Sequence, residues 1–260
     1  MSEPTAPADP SDHAKPFIYE TLNSKALHFS LSEIQSRMQT ERPHALDLDY
    51  TRLMMGLLLF HAAPARLAMI GLGGGSMAKF CHHFMPATRI EVVEINPHVI
   101  ALREAFSIPP DDARFQVKLA DGAAYLSAAP EPIDVLVVDG FDGSGQPEAL
   151  CSQRFYDDCQ AALQPDGLLV VNLHAAHSDF ELQAARIERS FAGEVLRVPD
   201  RDGSNTIVFA SKAPLEQRFK PQHPRQLRQF DAQTRADLMP AWAAVERAMR
   251  ASQGSDAIRR

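Results

Sequence analysis

The sequence predicts an α/β fold: a Rossmann-like parallel sheet ending in an antiparallel hairpin, preceded by a small N-terminal β region. Three observations carry this reading. From residue 67 onward, apolar runs of strand length alternate with segments of helical spacing. The runs are continuously apolar, as strands buried on both faces are. The last two runs are joined by a connection too short for a helical crossover, so they pair antiparallel. At 260 residues, 45% hydrophobic and 23% charged, the chain holds one sizeable core with appendages.

Taken in order, residues 1–15 place Pro4, Pro7 and Pro10 among Ser, Asp and Ala and read as a flexible leader. Residues 16–45 form the small β region. Within it FIYE, a polar LNSK turn and ALHF make a hairpin, while 31–40 fits either strand or helix. Residues 46–211 form the main domain. Asp47 is placed to cap a helix through Leu53–Phe60 that stops before Pro64. Strands follow at Leu67–Ile70, Ile90–Val93, Phe115–Leu119, Val135–Val138 and Leu168–Leu173, and Pro165-Asp166-Gly167 is a turn feeding the last of these. Helices between and after them fall at Met77–Phe84, Val99–Phe106, Ala123–Ala128, Phe155–Leu163 and Phe180–Phe191. The hairpin is Glu194–Val198 with Thr206–Ala210. Five parallel strands closed by a hairpin suit the Rossmann-like fold of adenosylmethionine-dependent transferases. Residues 212–260 read as a basic helical tail around Trp242.

Composition narrows the function classes. The longest apolar stretch, Leu53–Phe60, is far short of the ~20 residues a membrane span requires. The N-terminus has no basic start and no apolar run, so a signal peptide is not expected. Cys81, Cys151 and Cys159 are scattered without CxxC spacing, which fits a reduced, cytoplasmic protein with no structural metal. Residues 1–211 carry a formal charge of −12 and residues 212–260 one of +5. An acidic body argues against nucleic acid and for cationic small ligands.

The strongest motif is Gly71-Leu-Gly73-Gly74-Gly75-Ser76, directly after the first buried strand and opening a helix. Glycines there admit a ligand close to the backbone, and the helix start offers N–H groups. Glu94 ends the second strand, where a carboxylate can accept both hydroxyls of a ribose, with Ile95 beside it. Asp121-Gly122 follows the third strand and can read an adenine edge or simply cap a helix. Asp139-Gly-Phe-Asp142-Gly143 ends the fourth strand, and its carboxylates could bind a cationic acceptor, one serving as base. Ligands bind at this edge of open α/β sheets, so together these residues point to a nucleoside site. His82-His83 and His174 with His177 lack a nearby acid at metal spacing and are not read as ligands.

The order GLGGGS, VVEIN, ADG, VVDGFDG and CSQRFYDDCQAALQPDGLLVVN resembles the spermidine synthase (polyamine aminopropyltransferase) superfamily over roughly residues 17–211, in a divergent branch carrying GLGGGS. The resemblance implies an enzyme that takes decarboxylated S-adenosylmethionine, or S-adenosylmethionine itself, as donor. By it Glu94 would hold the ribose, Asp121 and Gly122 the adenine, and Gln35 and the loop glycines the rest of the donor. Asp139 would be the general base, Asp142 and Tyr50 would meet an amine acceptor, and the protein would form a dimer. The sequence departs from the family pattern where acceptor contacts are expected. Gly74 replaces the loop's Asp, Thr51-Arg52 follow Tyr50 where the family has His and an acid, Ala14 stands in a Gln position, and Gly143 in a Pro position. Arg52, if it reaches, could meet a donor carboxylate. Aminopropyl transfer to an amine is the leading expectation. Small-molecule methylation and a non-catalytic nucleoside-binding role on the same fold are the alternatives. A nicotinamide dehydrogenase fits least, since Ser76 replaces the third fingerprint glycine.

Overall fold

The computed structural model of the chain describes residues 13–30, 34–128, 131–141, 145–220 and 228–259, with side chains in the last helix to 253. Three short strands, β1 (Phe17–Glu20), β2 (Ser24–His28) and β3 (Ser36–Gln39), form an antiparallel sheet. The residues that fitted either strand or helix thus supply β3, with 31–33 outside the described residues. Helix α1 (Asp49–Met54) passes directly into a 3-10 segment, Met55–Leu59. Asp47 does not cap it: the N-cap position is Leu48 without a side-chain bond. The Asp47 carboxylate instead binds Arg37 and, at 2.7 Å, Gln39 on β3. Two side-chain donors on β3 outcompete the helix start.

The main sheet has seven strands in the order β6-β5-β4-β7-β8-β10-β9. These are β4 (Arg66–Ile70), β5 (Arg89–Glu94), β6 (Phe115–Leu119), β7 (Ile133–Val138), β8 (Leu163–His174), β9 (Val195–Pro199) and β10 (Asn205–Ser211). The pairs β4–β5, β5–β6, β4–β7 and β7–β8 are parallel, and β10 runs antiparallel to both β8 and β9. The connecting helices are α2 (Ser76–Phe84), α3 (Pro97–Ile100), α4 (Gly122–Ser127), α5 (Gln153–Ala162) and α6 (Phe180–Ser190). A four-residue α7 (Leu215–Arg218) precedes the long C-terminal α8 (Ala232–Arg259).

Continuous apolar runs arise because the sheet separates two packed layers. Leu67, Met69, Val135, Val137, Leu168 and Val170 face one core, and their neighbours Ala68, Ile70, Leu136, Val138, Leu169 and Val171 face the other. The first core also takes Leu27 and Met38 from the small sheet and Leu238, Trp242, Val245 and Met249 from α8. Both ends of the chain therefore share one interior with the main sheet. No helix among the described residues is long and apolar enough to cross a membrane.

Two local expectations are corrected. The α-helix expected over Val99–Phe106 ends at Ile100 and continues as turns to Ser107, whose φ is +54°. Pro165-Asp166-Gly167 does not precede β8 but lies inside it. Ile133 pairs with Leu163 and Val135 with Leu168, so the turn residues bulge out while pairing continues on both sides.

Lys79 on α2 is buried, and its ammonium donates to the Phe106 carbonyl at 2.8 Å. Burial pulls its pKa down to about 7. A depressed amine contributes stability that is present at alkaline pH and is lost as pH falls from about 10.5 through 7. We expect Lys79→Met to raise Tm by several degrees at pH 7, with the gain shrinking toward pH 10, as thermal melts across that range will show.

Candidate functional site

The order of the main sheet reverses between β4 and β7, and this is where the chain opens a cleft beyond the carboxyl ends of its strands. Gly71 leaves β4 at φ +99°, and its amide donates to Val93 O at 2.9 Å. Across the gap the Asp139 amide donates to Ile70 O at 2.9 Å. The two strand tips touch so closely that a Cβ on residue 71 would stand 2.3 Å from the Asp139 carbonyl oxygen. Only glycine meets both the left-handed backbone and the contact.

The glycine loop is held from the neighbouring strand. Glu94 Oε2 accepts from Leu72 N at 2.9 Å, and Oε1 accepts from Asn96 N at 2.8 Å. Burial raises the Glu94 pKa, and the amides of Asn96, Leu72, Ile95 and Gly73 oppose that rise. The amides of Leu72 and Gly73 are thus turned to a protein carboxylate. Asn96 caps α3, its Oδ1 accepting from His98 N at 2.9 Å, while its Nδ2 donates to Ala14 O at 2.8 Å. That bond lays residues 13–15, assigned to the leader, along the site. Residues 1–12 lie outside the described residues.

Around these tips lies a cavity of about 940 Å³. Of the residues singled out in the sequence, Gln35, Tyr50, Gly71, Gly73, Glu94, Ile95, Asp121, Gly122 and Asp139 all line it. Gly74 and Gly75 do not line it, and this corrects their expected placement. A Cβ at 74 would meet Ser36 Oγ at 2.6 Å and Phe106 at 3.0 Å, and one at 75 would meet Ile108 at 2.5 Å. These two glycines let the loop pack on β3 and on the segment after α3. Asp121 caps α4 through Ala124 N at 2.8 Å, and Gly122 lets α4 approach Ile70. Asp142 lies outside the described residues.

Asp139 is half-buried on the cavity floor. Its Oδ1 accepts from Asn172 Nδ2 at 3.0 Å, and the Tyr50 hydroxyl also donates to it. Withdrawal from water raises its pKa, against the opposing pull of Asn172, Tyr50 and the charge of His174. The Tyr50 phenol is pushed well above its usual 10 by burial and by Asp139, so it remains a donor. Asp139 is therefore a carboxylate of raised basicity, oriented by two side chains. His174, at the end of β8, lines the cavity and stacks on Phe141 with ring centroids 4.1 Å apart.

The cavity wall is electrostatically one-sided. Among the described residues it includes Asp49, Glu94, Asp121, Asp139, Asp200 and Asp202, and no Lys or Arg; its basic groups are the imidazoles of His13 and His174. Arg52 does not reach it. The guanidinium is spent on Leu46 O (2.8 Å), Asp47 O (3.0 Å) and the Asp49 carboxylate (3.1 Å). Sequence reasoning missed Asn172, Asp200 and Asp202. The first lies inside β8, in a run that reads as buried strand, and the other two belong to a turn whose composition reads as ordinary turn chemistry.

Residues 48–190 match the spermine/spermidine synthase domain model. The chain is 39% identical over 203 residues to a polyamine aminopropyltransferase of Neisseria meningitidis serogroup A, covering 77% of each chain. In structure it resembles a probable spermidine synthase from Corynebacterium glutamicum, with a TM-score of 0.66 at 21% identity over 76% of this chain and 77% of that one. Human methyltransferase-like protein 13, solved with SAH, gives a TM-score of 0.56 at 24% identity over 78% and 93%. Both structural likenesses concern the fold.

The contact between strand tips can be tested directly. Gly71→Ala forces a strained φ and pushes against the Asp139 carbonyl, so it should destabilise by at least ~1–3 kcal/mol and displace Asp139. A lowered denaturation midpoint, with nucleoside affinity reduced in step, is the expected outcome.

Proposed function

The chain belongs to the spermine/spermidine synthase family, and we propose that it transfers an aminopropyl group from decarboxylated S-adenosylmethionine to an amine acceptor. The observation that supports this reading best is the cavity wall of carboxylates, with no Lys or Arg among the described residues. A decarboxylated donor brings a sulfonium and an ammonium, and an amine acceptor adds further positive charge. An acidic, partly desolvated wall suits such a set.

The donor supplies an electrophilic carbon on a positively charged sulfur. The acceptor nitrogen forms the new C–N bond, the C–S bond breaks, and its electron pair stays on sulfur as a neutral thioether. Only a neutral amine can attack. With an amine pKa of about 10, exposing that lone pair at pH 7 costs about 4 kcal/mol. Asp139 takes the proton: its basicity is raised by burial, and Asn172 and Tyr50 fix the carboxylate. Alignment of nitrogen and carbon is the remaining task, which Gly71, Gly73 and Glu94 serve by setting the cavity's shape.

Methylation from S-adenosylmethionine is the second reading, since the fold is shared with methyltransferase-like protein 13 and does not fix the activity. The residues around the glycine loop argue against it. A donor carboxylate would need a cation or free amides, yet Arg52 is committed elsewhere and the Leu72 and Gly73 amides face Glu94.

The deciding assay offers both donors with a pool of amines and identifies the nucleoside product by mass spectrometry. Methylthioadenosine formed from the decarboxylated donor is the expected product; S-adenosylhomocysteine would overturn the assignment. Asp139→Asn should lower kcat by a factor of ~10²–10⁴ with nucleoside affinity retained. Its Tm at neutral pH should not fall, because a carboxylate with a raised pKa costs the folded state stability when ionised.

A further inference from the structure

The glycine loop is held by Glu94, and it is backed by the segment that follows α3. Phe106 and Ile108, both buried, fill the space that Cβ atoms at 74 and 75 would take. Phe106 Cδ1 lies 3.0 Å from the first of those positions and Ile108 Cγ1 2.5 Å from the second. The backing segment is not regular helix. From Ala101 it runs as turns, closed by Phe106 N on Leu102 O (3.1 Å), Ser107 N on Glu104 O (3.0 Å) and Ile108 N on Arg103 O (2.9 Å). Ser107 stands at φ +54° between the two side chains that touch the loop. A non-glycine residue in the left-handed region persists where its surroundings hold it there.

Lys79 supplies part of that hold. It is 4% exposed in the first turn of α2, and its Nζ donates to the Phe106 carbonyl, the acceptor just before Ser107. No carboxylate among the described residues offsets its burial. The charged groups on the elements around it are committed elsewhere. Arg37 on β3 binds Asp47, Glu91 on β5 binds Lys118 at 2.7 Å, and Arg103 in the backing segment binds Asp111 at 2.7 Å. His44, in the segment after β3, feels the Lys79 charge together with His83, Arg42 and, from the start of α8, Asp231.

An isolated buried ammonium costs the fold stability at neutral pH, yet its hydrogen bond braces the back of the loop that shapes the cavity. Groups that lower stability in this way are characteristic of sites where function sets the geometry. Building on the nucleoside reading of the cavity, we propose that Lys79 is a positioning residue for the donor: its bond to the Phe106 carbonyl holds the backing segment, and through it the glycine loop, in the shape that accepts the nucleoside. An ammonium donates to a carbonyl about twice as strongly as a neutral amine does. Burial pulls the Lys79 pKa down to about 7, so the hold weakens as pH rises through that value. By linkage, a bound nucleoside raises that pKa.

The test is calorimetric titration of methylthioadenosine into wild type, Lys79→Met and Lys79→Arg from about pH 6 to about pH 9. We expect wild-type affinity to fall by a factor of ~3–5 across that range, and Lys79→Met to bind ~3–10-fold more weakly at pH 6 without the further fall. Lys79→Arg, charged throughout, should restore tighter binding than Lys79→Met and hold it to pH 9. Since Lys79→Met is also expected to melt higher at pH 7, affinity and stability move in opposite directions, which loss of a merely structural contact does not produce. Equal affinity of wild type and Lys79→Met at pH 6, or a pH-dependent fall that Lys79→Met keeps in full, overturns the proposal. If Lys79→Met does not fold, the comparison of wild type with Lys79→Arg at pH 9 decides it. Should wild type bind no nucleoside, the nucleoside reading itself fails, and hydrogen exchange of the free protein decides the hold alone. Faster exchange in Lys79→Met confined to residues 71–75 and 101–108 supports the hold, and unchanged exchange there overturns it.

Discussion

The carboxylate of Glu94 is buried at the end of β5 with backbone amides around it and no cation. Much of the site follows from that arrangement. An ionised group away from water must be solvated by something, and here the amides of the glycine loop do it. The loop is thereby fixed against β5, Gly71 is set at the tip of β4, and the Asp139 carbonyl can pack against it. Asn96, held by the same carboxylate through its amide, in turn captures the Ala14 carbonyl. The same carboxylate lines the cavity, and each of its oxygens keeps a second lone pair beside the amide bond it accepts.

The second organising constraint is charge. Basic side chains near the site are used up before they reach it. Arg52 is tied to the segment 46–49, and Lys79 is turned to a carbonyl behind the glycine loop. What faces the cavity among the described residues is six carboxylates and two imidazoles, so the wall carries the sign of the −12 balance over residues 1–211.

The strands were legible because burial on both faces demands continuous apolar runs, and the closing hairpin because seven residues cannot make a helical crossover. The placement of the cavity was legible too: Glu94 ends a strand and Asp121 and Asp139 each lie just past one, and strand ends are where α/β sheets bind ligands. What escaped the sequence was decided by contacts distant along the chain. Arg52 is the exception, turned by acceptors only three to six residues before it, two of them backbone carbonyls. The seating of residue 14 rests on a backbone carbonyl, which no side chain advertises. Gly74 and Gly75 look like ligand contacts in a motif, yet their bare backbones face Ser36, Phe106 and Ile108. The residues of the β9–β10 turn are ordinary turn formers until β8 is placed beside them.

The pairing of Gly74 with Ser36 has a consequence for how the loop can vary. With Ser36 Oγ 2.6 Å from the place a Cβ would take, and itself 3.2 Å from Ser76 Oγ, a side chain at 74 requires the Ser36 hydroxyl to turn away from Ser76 and Phe106 to give by a few tenths of an ångström. Substitution at 74 is therefore coupled to position 36: the smaller the side chain there, the less the loop must yield.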